Sequence, residues 1–391
     1  MVVKDLMTDL IHHPYQPPEG FEAFPPAVYK ASTVMFKDTA ALRRRSPLNR
    51  GGYTYGLHGT PTSYTLEERI ASLEGGTYCV LAPSGLAAIT IVNLGILKAG
   101  DEVLLPQNVY GPSKEQAKAM LADWGITHQL YDPMDVASLK ATIGPKTRLV
   151  WVEAPGSVTM EFPDLRALVQ VAKAAGVLCA LDNTWGAGLA FSAFDMGVDI
   201  SMHALTKYPS GGADVLMGSV VTRDEHLYHL LHRVHGALGI GVAANDIEFV
   251  LRALPSLRIR YDAHDQTARA LATWLKDQPE VTQVLHPAVP GSPGHDHWKR
   301  HCTAAAGLFS VMFDPRFSAA QVHAFVDALK IFKIGFSWGG PMSLAVPYDL
   351  DAMRSGRARL PGHLVRFSIG LESLEALRQD IETGLRAVFR P

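Results

Sequence analysis

The sequence has few cysteines, almost no net charge and no long apolar run. Three cysteines among 391 residues are too few for a disulfide framework, so a reducing cytoplasm is the expected compartment. A formal net charge of −2 argues against a nucleic-acid partner held by phosphate neutralisation. The longest apolar stretch, residues 86–97, is broken by Asn93 and is too short to cross a bilayer. Residues 1–18 hold no apolar segment of signal-peptide length, so a soluble protein without a membrane partner is expected.

Internal repeats and low-complexity tracts are also missing, and the chain is longer than a single hydrophobic core usually supports. Residues 14–59 are rich in proline, glycine, arginine and tyrosine without a sustained period, which predicts an extended arm. We therefore expect an extended arm over residues 1–59, of the kind that usually grips another surface, a larger domain over 60–254 and a C-terminal domain over 255–391.

Short runs rich in valine and leucine alternate with helical patterns from about residue 63 onward. This alternation predicts an α/β fold with a mostly parallel sheet flanked by helices. Strands are predicted at residues 78–81, 102–105, 148–152 and 177–181, and helices at 66–70, from 85, at 113–122 and at 164–174. A helix ending before Pro255, an amphipathic segment at 259–275 and an apolar run at 307–313 predict a smaller α+β domain.

Three features together suggest pyridoxal phosphate as a cofactor. Lys207 follows an apolar run, where desolvation favours the neutral amine that reacts with an aldehyde, although most lysines are solvated surface charges. Asp182 ends a predicted strand and can hold a pyridine nitrogen protonated; its alternative role is to cap the following turn. Gly85 and Leu86 open a helix whose N–H groups can bind a phosphate, unless this is an ordinary strand-to-helix turn.

Three further residues have a predicted role in the same site. Tyr110 follows a strand, and its ring can stack on the cofactor while its phenol moves protons if nearby positive charge lowers its pKa. Thr206 offers a hydroxyl to the phosphate. Arg366 interrupts an apolar run and can bind a substrate α-carboxylate, with an intramolecular Asp or Glu as the alternative partner.

The histidines at 295–301 lack the spacing of a zinc site, so a solvated loop and no metal are expected.

These residues stand in segments that resemble the Cys/Met-metabolism family of pyridoxal-phosphate enzymes, and most of all the bacterial cystathionine β-lyases. The resemblance extends from about Tyr53 to the C-terminus. Its matching segments, in chain order, are Tyr55–Thr60, Leu73–Gly76, Ser84–Ala88, Glu153–Ser157, Asp182–Trp185, Thr206–Tyr208, His286–Gly291, Trp298–Arg300, Ser337–Gly340 and Arg366–Glu372.

The resemblance implies the fold-type I architecture of pyridoxal-phosphate transferases, with a mostly parallel seven-stranded sheet, and a homotetramer built from two dimers. It implies that residues 60–254 bind the cofactor and that the arm over residues 1–59 contacts a neighbouring subunit. It implies that Tyr55 reaches the cofactor phosphate of the neighbouring subunit, and that Ser337 and Trp338 lie beside the lysine and the substrate. One position departs from the family pattern, because Leu57, followed by His58, stands where family members commonly have an arginine. Loss of that guanidinium weakens the expectation of a long dicarboxylic thioether substrate, unless His58 or Arg50 compensates.

The resemblance further implies a carbon–sulfur lyase that converts L-cystathionine to homocysteine, pyruvate and ammonia in methionine biosynthesis, with Lys207 and Tyr110 as catalytic residues. Trp338 and the pair Gly156–Ser157 favour β-elimination. A cystathionine or methionine γ-lyase, a cystathionine γ-synthase or an O-acyl-homoserine sulfhydrylase stays open on the same scaffold. A non-catalytic, cofactor-binding interaction protein is the more remote alternative.

Overall fold

A computed structural model describes residues 5–14, 18–21, 23–46, 52–350 and 362–390 of the chain. The described residues form two sheets. The first has seven strands in the order β1-β7-β6-β5-β4-β2-β3. Their bounds are β1 Tyr78–Ala82, β2 Glu102–Pro106, β3 Thr127–Tyr131, β4 Thr147–Glu153, β5 Leu178–Asp182, β6 Ile200–His203 and β7 Gly218–Thr222.

Six of these strands are parallel, and β7 alone runs in the opposite direction between β1 and β6. The expected mostly parallel seven-stranded sheet is therefore confirmed. Apolar side chains cover both faces: in β4, Val150 and Val152 belong to one core cluster, and Leu149 and Trp151 to another. A sheet buried on both faces explains why its strands read as continuous apolar runs in the sequence.

Helices pack on both faces of this sheet and continue into the C-terminal part. Their bounds are α1 Leu6–Ile11, α2 Thr39–Arg44, α3 Pro61–Glu74, α4 Gly85–Ile96, α5 Gly111–Gln116, α6 Val136–Thr142, α7 Leu165–Ala174, α8 Glu225–Leu238, α9 Ala244–Ala253, α10 Leu257–Leu275, α11 His295–His301, α12 Ala319–Ala328 and α13 Leu374–Phe389. A π-helical turn, Ala117–Leu121, extends α5, and 3-10 turns lie at Gly56–His58, Phe194–Met196 and Leu254–Ser256. Within the described residues, no helix is both long and apolar enough to cross a membrane.

The second sheet has four antiparallel strands in the order β10-β11-β9-β8, as expected for a smaller α+β domain. Their bounds are β8 Val281–Leu285, β9 Leu308–Phe313, β10 Leu344–Tyr348 and β11 His363–Ser368. A third apolar cluster joins this sheet to α10, α12 and α13. The boundary proposed between residues 254 and 255 falls in the 3-10 turn between α9 and α10.

Several elements differ from the sequence-based predictions. Neither β3 nor α6 was predicted. For β3 the reason is that it is an edge strand with mostly solvated side chains and has no apolar run. The prediction of a loop at the histidine-rich segment was wrong: residues 295–301 form α11, with Trp298 buried on its inner side. Asn93, which interrupts the apolar run of α4, is buried and accepts a hydrogen bond of 2.9 Å from the Trp151 indole.

The described parts of the N-terminal arm are mostly exposed. Leu10 of α1 is the exception, since it is fully buried against the main core. An isolated bridge joins Thr33 to Tyr55, while Phe21, Phe24 and Met35 project large apolar side chains into solvent.

Candidate active site

The candidate active site lies at the sheet edge where the parallel strands end. β1, β2, β4, β5 and β6 run in one direction, so their carboxyl ends share that edge. Gly85 follows β1, Tyr110 follows β2, Asp182 ends β5 and Lys207 lies four residues beyond β6. Open α/β sheets bind ligands at this edge. The fold therefore brings these four predicted residues to the same edge of the sheet.

The first turn of α4 supplies free backbone donors. Ser84 is the N-cap of this helix, and its hydroxyl accepts a hydrogen bond of 3.0 Å from the Ala87 N–H. The N–H groups of Gly85 and Leu86 have no acceptor within the described part of the chain. A Cβ atom at Gly85 would lie 2.7 Å from the Ala204 Cβ atom, so only glycine fits this approach. The turn can accept an anion such as a phosphate.

Thr206 lies beside this turn, but its hydroxyl already has partners. It donates to the Met217 carbonyl oxygen at 3.1 Å and accepts from the Met217 N–H at 2.9 Å. A phosphate contact from Thr206 stays a prediction. Thr184, which the sequence did not single out, accepts a hydrogen bond of 2.9 Å from the Ala204 N–H and so fixes the segment before the lysine.

Lys207 is largely buried, and its Nζ donates a hydrogen bond of 2.6 Å to the Ser337 Oγ. The same nitrogen lies 5.4 Å from the centre of the Trp338 ring. Burial, together with the positive charge of Arg366, lowers the pKa of Lys207 to about 8, although Asp182 acts in the opposite direction. A substantial fraction of this amine is therefore neutral near physiological pH, as reaction with an aldehyde requires.

Asp182 lies next to a second carboxyl group. Its Oδ1 accepts a hydrogen bond of 3.0 Å from the Thr184 N–H, so it does cap the following turn. The Thr184 side chain is a second hydrogen-bond partner of this carboxyl group, so the turn after β5 fixes its orientation. Glu153 pairs with Asp182 across the parallel strands β4 and β5. Burial raises the pKa of both carboxyls, and the charge of Asp182 raises that of Glu153 further.

The Tyr110 side chain is 43% exposed at the start of α5, and its backbone N–H donates a hydrogen bond of 2.8 Å to the Glu153 Oε2. Its phenol does not have the lowered pKa that proton transfer would require. Burial raises the pKa of Tyr110, and Asp182 and Glu153 raise it further, because the charges around it are negative. Any lowering has to come from a bound ligand.

Arg366 lies in the middle of β11 and is 9% exposed. Its guanidinium lies 5.2 Å from the centre of the Tyr348 ring, and Nη2 donates a 3.4 Å hydrogen bond to the Ser337 carbonyl oxygen. Its Nε is buried and has no hydrogen-bond partner among the described residues. Among the described residues, no carboxylate forms an ion pair with it, so the intramolecular partner considered from the sequence is not found there. A guanidinium that is buried without a carboxylate partner among the described residues favours binding of an anionic ligand.

Tyr55 and the positions after it lie on the arm, apart from this cluster. Tyr55 is 48% exposed, and within the described chain no hydrogen bond or ring contact joins it to the Lys207 cluster. Leu57 points at Gly241, and the His58 ring stacks on His232 with ring centres 6.0 Å apart. Arg50 lies outside the described residues. His58 therefore contacts α8 of its own subunit.

Sequence reasoning did not assign a role to Glu153 or Tyr348. Glu153 ends a predicted strand, as Asp182 does, and that position was a usable signal. Tyr348 gave no local signal, because its place beside Arg366 depends on the pairing of β10 with β11. Within the described residues, no group of three or more His, Cys, Asp or Glu side chains is arranged to hold a metal ion.

These residues fit pyridoxal phosphate. The free N–H groups at Gly85 and Leu86 suit its phosphate, the amine of Lys207 suits its aldehyde, and the carboxyl group of Asp182 suits its ring nitrogen. Such a set defines the class of pyridoxal-phosphate-dependent enzymes.

Comparison with known proteins gives the family within this class. The sequence model of the family described as "Cys/Met metabolism PLP-dependent enzyme" matches residues 7–386. A putative cystathionine beta-lyase of Rhizobium johnstonii is 42% identical over 365 residues, which cover 93% of this chain and 91% of the relative. A cystathionine beta-lyase of Bordetella avium is 38% identical over 389 residues, which cover 98% and 97%.

Among solved structures, a cystathionine gamma synthase from Xanthomonas oryzae pv. oryzae superposes with a TM-score of 0.89 at 29% identity, over 99% of both chains. The chain belongs to the Cys/Met-metabolism family of pyridoxal-phosphate-dependent enzymes, as the sequence predicted. Its cofactor and its fold-type I architecture are thereby also confirmed.

Proposed function

We propose that this protein is a carbon–sulfur lyase of the cystathionine β-lyase type. In this reaction L-cystathionine and water give homocysteine, pyruvate and ammonia. The relatives from Rhizobium johnstonii and Bordetella avium, which are named as such enzymes or putative ones, support this assignment. The retention of Lys207, Asp182, Tyr110 and Arg366 in one cluster argues for catalysis and against a protein that only binds the cofactor.

The observation that carries the proposal is the pairing of a partly neutral lysine with a buried, unpaired arginine. Both side chains meet at Ser337: the Lys207 Nζ donates to its hydroxyl, and the Arg366 Nη2 donates to its carbonyl oxygen. An α-amino acid carries its carboxylate and the hydrogen atom to be removed on the same α-carbon. Arg366 can bind the carboxylate and Lys207 can accept the proton, and the two lie on either side of Ser337. This arrangement suits an α-amino acid as the substrate.

Pyridoxal phosphate, when bound, supplies a sink for the electrons released at the substrate α-carbon. Arg366 binds the α-carboxylate and so fixes which bond at that carbon is broken. Lys207, as a neutral amine, would remove the α-proton and then donate it to the β-sulfur, which leaves as a thiol. Asp182 keeps the ring nitrogen protonated. Tyr110 would stack on the ring, and its phenol would receive the proton of the substrate amine only where a bound ligand lowers the pKa of Tyr110.

The departure at Leu57 bears on substrate choice. Without a guanidinium at this position, the far carboxylate of a long substrate loses a charge-assisted contact, so shorter sulfur amino acids should compete better with cystathionine. Leu57→Arg should therefore lower the KM for cystathionine and leave that for a short substrate such as L-cysteine unchanged. If neither the KM for cystathionine nor the cofactor affinity changes, the position has no role in recognition.

The deciding experiment incubates the purified, cofactor-loaded protein with L-cystathionine and measures the keto acid formed. Pyruvate supports the β-lyase; 2-oxobutyrate shows a γ-lyase. Transfer of a thiol to an activated homoserine shows a γ-synthase or a sulfhydrylase, in line with the structural similarity to a γ-synthase. Lys207→Ala is the control, and borohydride reduction followed by peptide mapping should find the cofactor on position 207. Cofactor binding without turnover of any sulfur amino acid would support the interaction protein.

We also propose a homotetramer of two dimers in the cytoplasm, acting in methionine biosynthesis. The exposed aromatic side chains of the arm, at Phe21, Phe24 and Tyr55, support burial against another subunit. In that assembly Tyr55 binds the cofactor phosphate of the neighbouring subunit. Native mass spectrometry gives the subunit number. Mixed oligomers of Tyr55→Phe and Lys207→Ala subunits test the sharing of sites, since only a shared site would recover activity on mixing.

A further inference from the structure

Glu153 occupies a position in the site that the proposed reaction does not use. It ends β4 and lies directly beside Asp182 in the register of β4 and β5. Residues paired across parallel strands point to the same face of the sheet. The carboxyl group is buried, with 8% of the residue exposed. A second buried carboxyl at this place is unfavourable unless it has a specific partner or a specific task.

Its hydrogen bonds reach the two loops that border Asp182. The Oε2 atom accepts from the Tyr110 N–H at 2.8 Å, and the Oε1 atom accepts from the Ser157 hydroxyl at 2.7 Å. The first bond fixes the backbone of the residue whose ring is proposed to stack on the cofactor. The second bond fixes the loop after β4. One side chain therefore holds the Tyr110 segment and the Ser157 loop in a common position.

The Ser157 loop is itself tightly held and conformationally restricted. Val158 and Met160 have φ values of +69° and +54°, which are unfavourable for residues with a side chain and most of all for a β-branched one. The Ser157 N–H donates to the Asn108 carbonyl oxygen at 2.8 Å, and the Ser310 hydroxyl donates to the Val158 carbonyl oxygen. Such a loop can hold a carboxyl group in one place without reorganising.

The neighbouring charges decide which of the two carboxyls takes up a proton. Two adjacent buried carboxyls do not both ionise readily, so a proton is shared between them. Burial raises the pKa of Asp182, but hydrogen bonds from the side chain and the N–H of Thr184 and the nearby charge of Lys207 favour its ionised form. The groups that face Glu153 are Asp182, Lys114, Tyr110 and Tyr131. Of these only Lys114 is cationic, and its Nζ donates to the Gln107 carbonyl oxygen.

We propose that Glu153 is a positioning residue of this active site: it fixes the Tyr110 and Ser157 segments, and it carries the proton that lets Asp182 stay ionised beside the ring nitrogen. The Ser157 hydroxyl can accept as well as donate, so both protonation states of Glu153 keep their hydrogen bonds. When Glu153 loses its proton at high pH, the additional negative charge raises the proton affinity of Asp182 and of the ring nitrogen next to it. This inference rests on the proposed site, and it does not depend on which sulfur amino acid is the substrate.

Three variants separate the two parts of this role. Glu153→Gln mimics the protonated carboxyl, so it should keep kcat within about threefold at neutral pH. It should also remove a transition on the alkaline side from the pH dependence of the visible absorption of the bound cofactor. Glu153→Ala removes both hydrogen bonds and should lower kcat about 10- to 100-fold with a smaller change in KM, an effect the size expected for a misplaced catalytic group. Ser157→Ala, which removes one of the bonds, should fall between these variants.

The absorption titration and the cofactor dissociation constant need no turnover, so they remain informative if cystathionine is not the substrate. A Glu153→Gln protein with the same absorption titration as the unmodified enzyme overturns the proton-carrying part. Equal impairment of Glu153→Gln and Glu153→Ala at neutral pH overturns it as well. A Glu153→Ala protein with unchanged kcat and cofactor affinity overturns the positioning part. If the alanine variant does not fold, the glutamine and Ser157→Ala variants decide the question.

Discussion

The backbone of this site is strained at Ser337, and the strain can be measured there. Its φ is +92°, a value that side chains rarely adopt and that costs about 1–3 kcal/mol in a folded protein. Ser337→Ala and Ser337→Gly both remove the hydroxyl that accepts from Lys207, and they differ in the Cβ atom alone. Glycine relieves the strain but gains about 0.4–1 kcal/mol of chain entropy in the unfolded state. We therefore expect the glycine variant to be more stable than the alanine variant by about 0.5–2 kcal/mol.

The assay is urea unfolding of the apoprotein, because bound cofactor would add its own stabilisation. Met342 provides the control: it is exposed and does not have a positive φ, so Met342→Gly should be less stable than Met342→Ala. If Ser337→Gly is also less stable than Ser337→Ala, the backbone at 337 is not strained and the reasoning is wrong. Both Ser337 variants should slow cofactor uptake by Lys207 equally, since both lack the hydroxyl.

Three further predictions concern the lysine and two buried carboxylates. The rate at which the apoprotein takes up pyridoxal phosphate, followed by absorption, should rise with pH through a midpoint near 8, since only the neutral Lys207 amine reacts and its pKa is about 8; a midpoint near that of an ordinary lysine contradicts this. Glu74→Ala should lower the free energy of unfolding by about 3 kcal/mol or more, and Glu74→Gln by less, because the alanine leaves three buried donors without an acceptor: Asn183, Ser201 and His203. Asp380→Ala should lower the free energy of unfolding by about 2–4 kcal/mol, because this carboxylate accepts from the backbone N–H groups of residues 330–332. Urea unfolding tests both alanine variants, and a loss below about 1 kcal/mol for either one contradicts the prediction made for it.

The sequence predicted the parts of the site that depend on short segments. Asp182 ends an apolar run, and Gly85 follows one and opens a helix, so local patterns were sufficient to bring both to the carboxyl edge of the sheet. The same patterns failed at β3, whose polar side chains face solvent at the edge of the sheet. They also failed at the histidine-rich α11. Its charged residues suggested a loop, but the segment forms a helix that buries one tryptophan, Trp298.

The parts that could not be predicted depend on strand register or on contacts between distant segments. The contact of Glu153 with Asp182 requires the one register in which β4 and β5 end together. Burial raises the pKa of Tyr110, and the charges of this carboxyl pair raise it further, so the neighbours of Tyr110 along the chain could not show that the pKa is raised and not lowered. Arg366 without a carboxylate partner among the described residues is likewise a result of tertiary packing.

The two sheets meet at the residue that follows the lysine. Tyr208 is fully buried, and its hydroxyl accepts a hydrogen bond of 2.8 Å from the Gly307 N–H, just before β9 of the second sheet. Its ring lies 5.5 Å from that of Trp338 and packs edge-on against Tyr261 of α10, at 4.8 Å between centres. Lys207 cannot shift without moving Tyr208, so the first sheet carries the amine and residues packed on the second sheet hold its position. Since Arg366 belongs to the second sheet, the same contact sets the distance between the proposed proton acceptor and the proposed carboxylate-binding group.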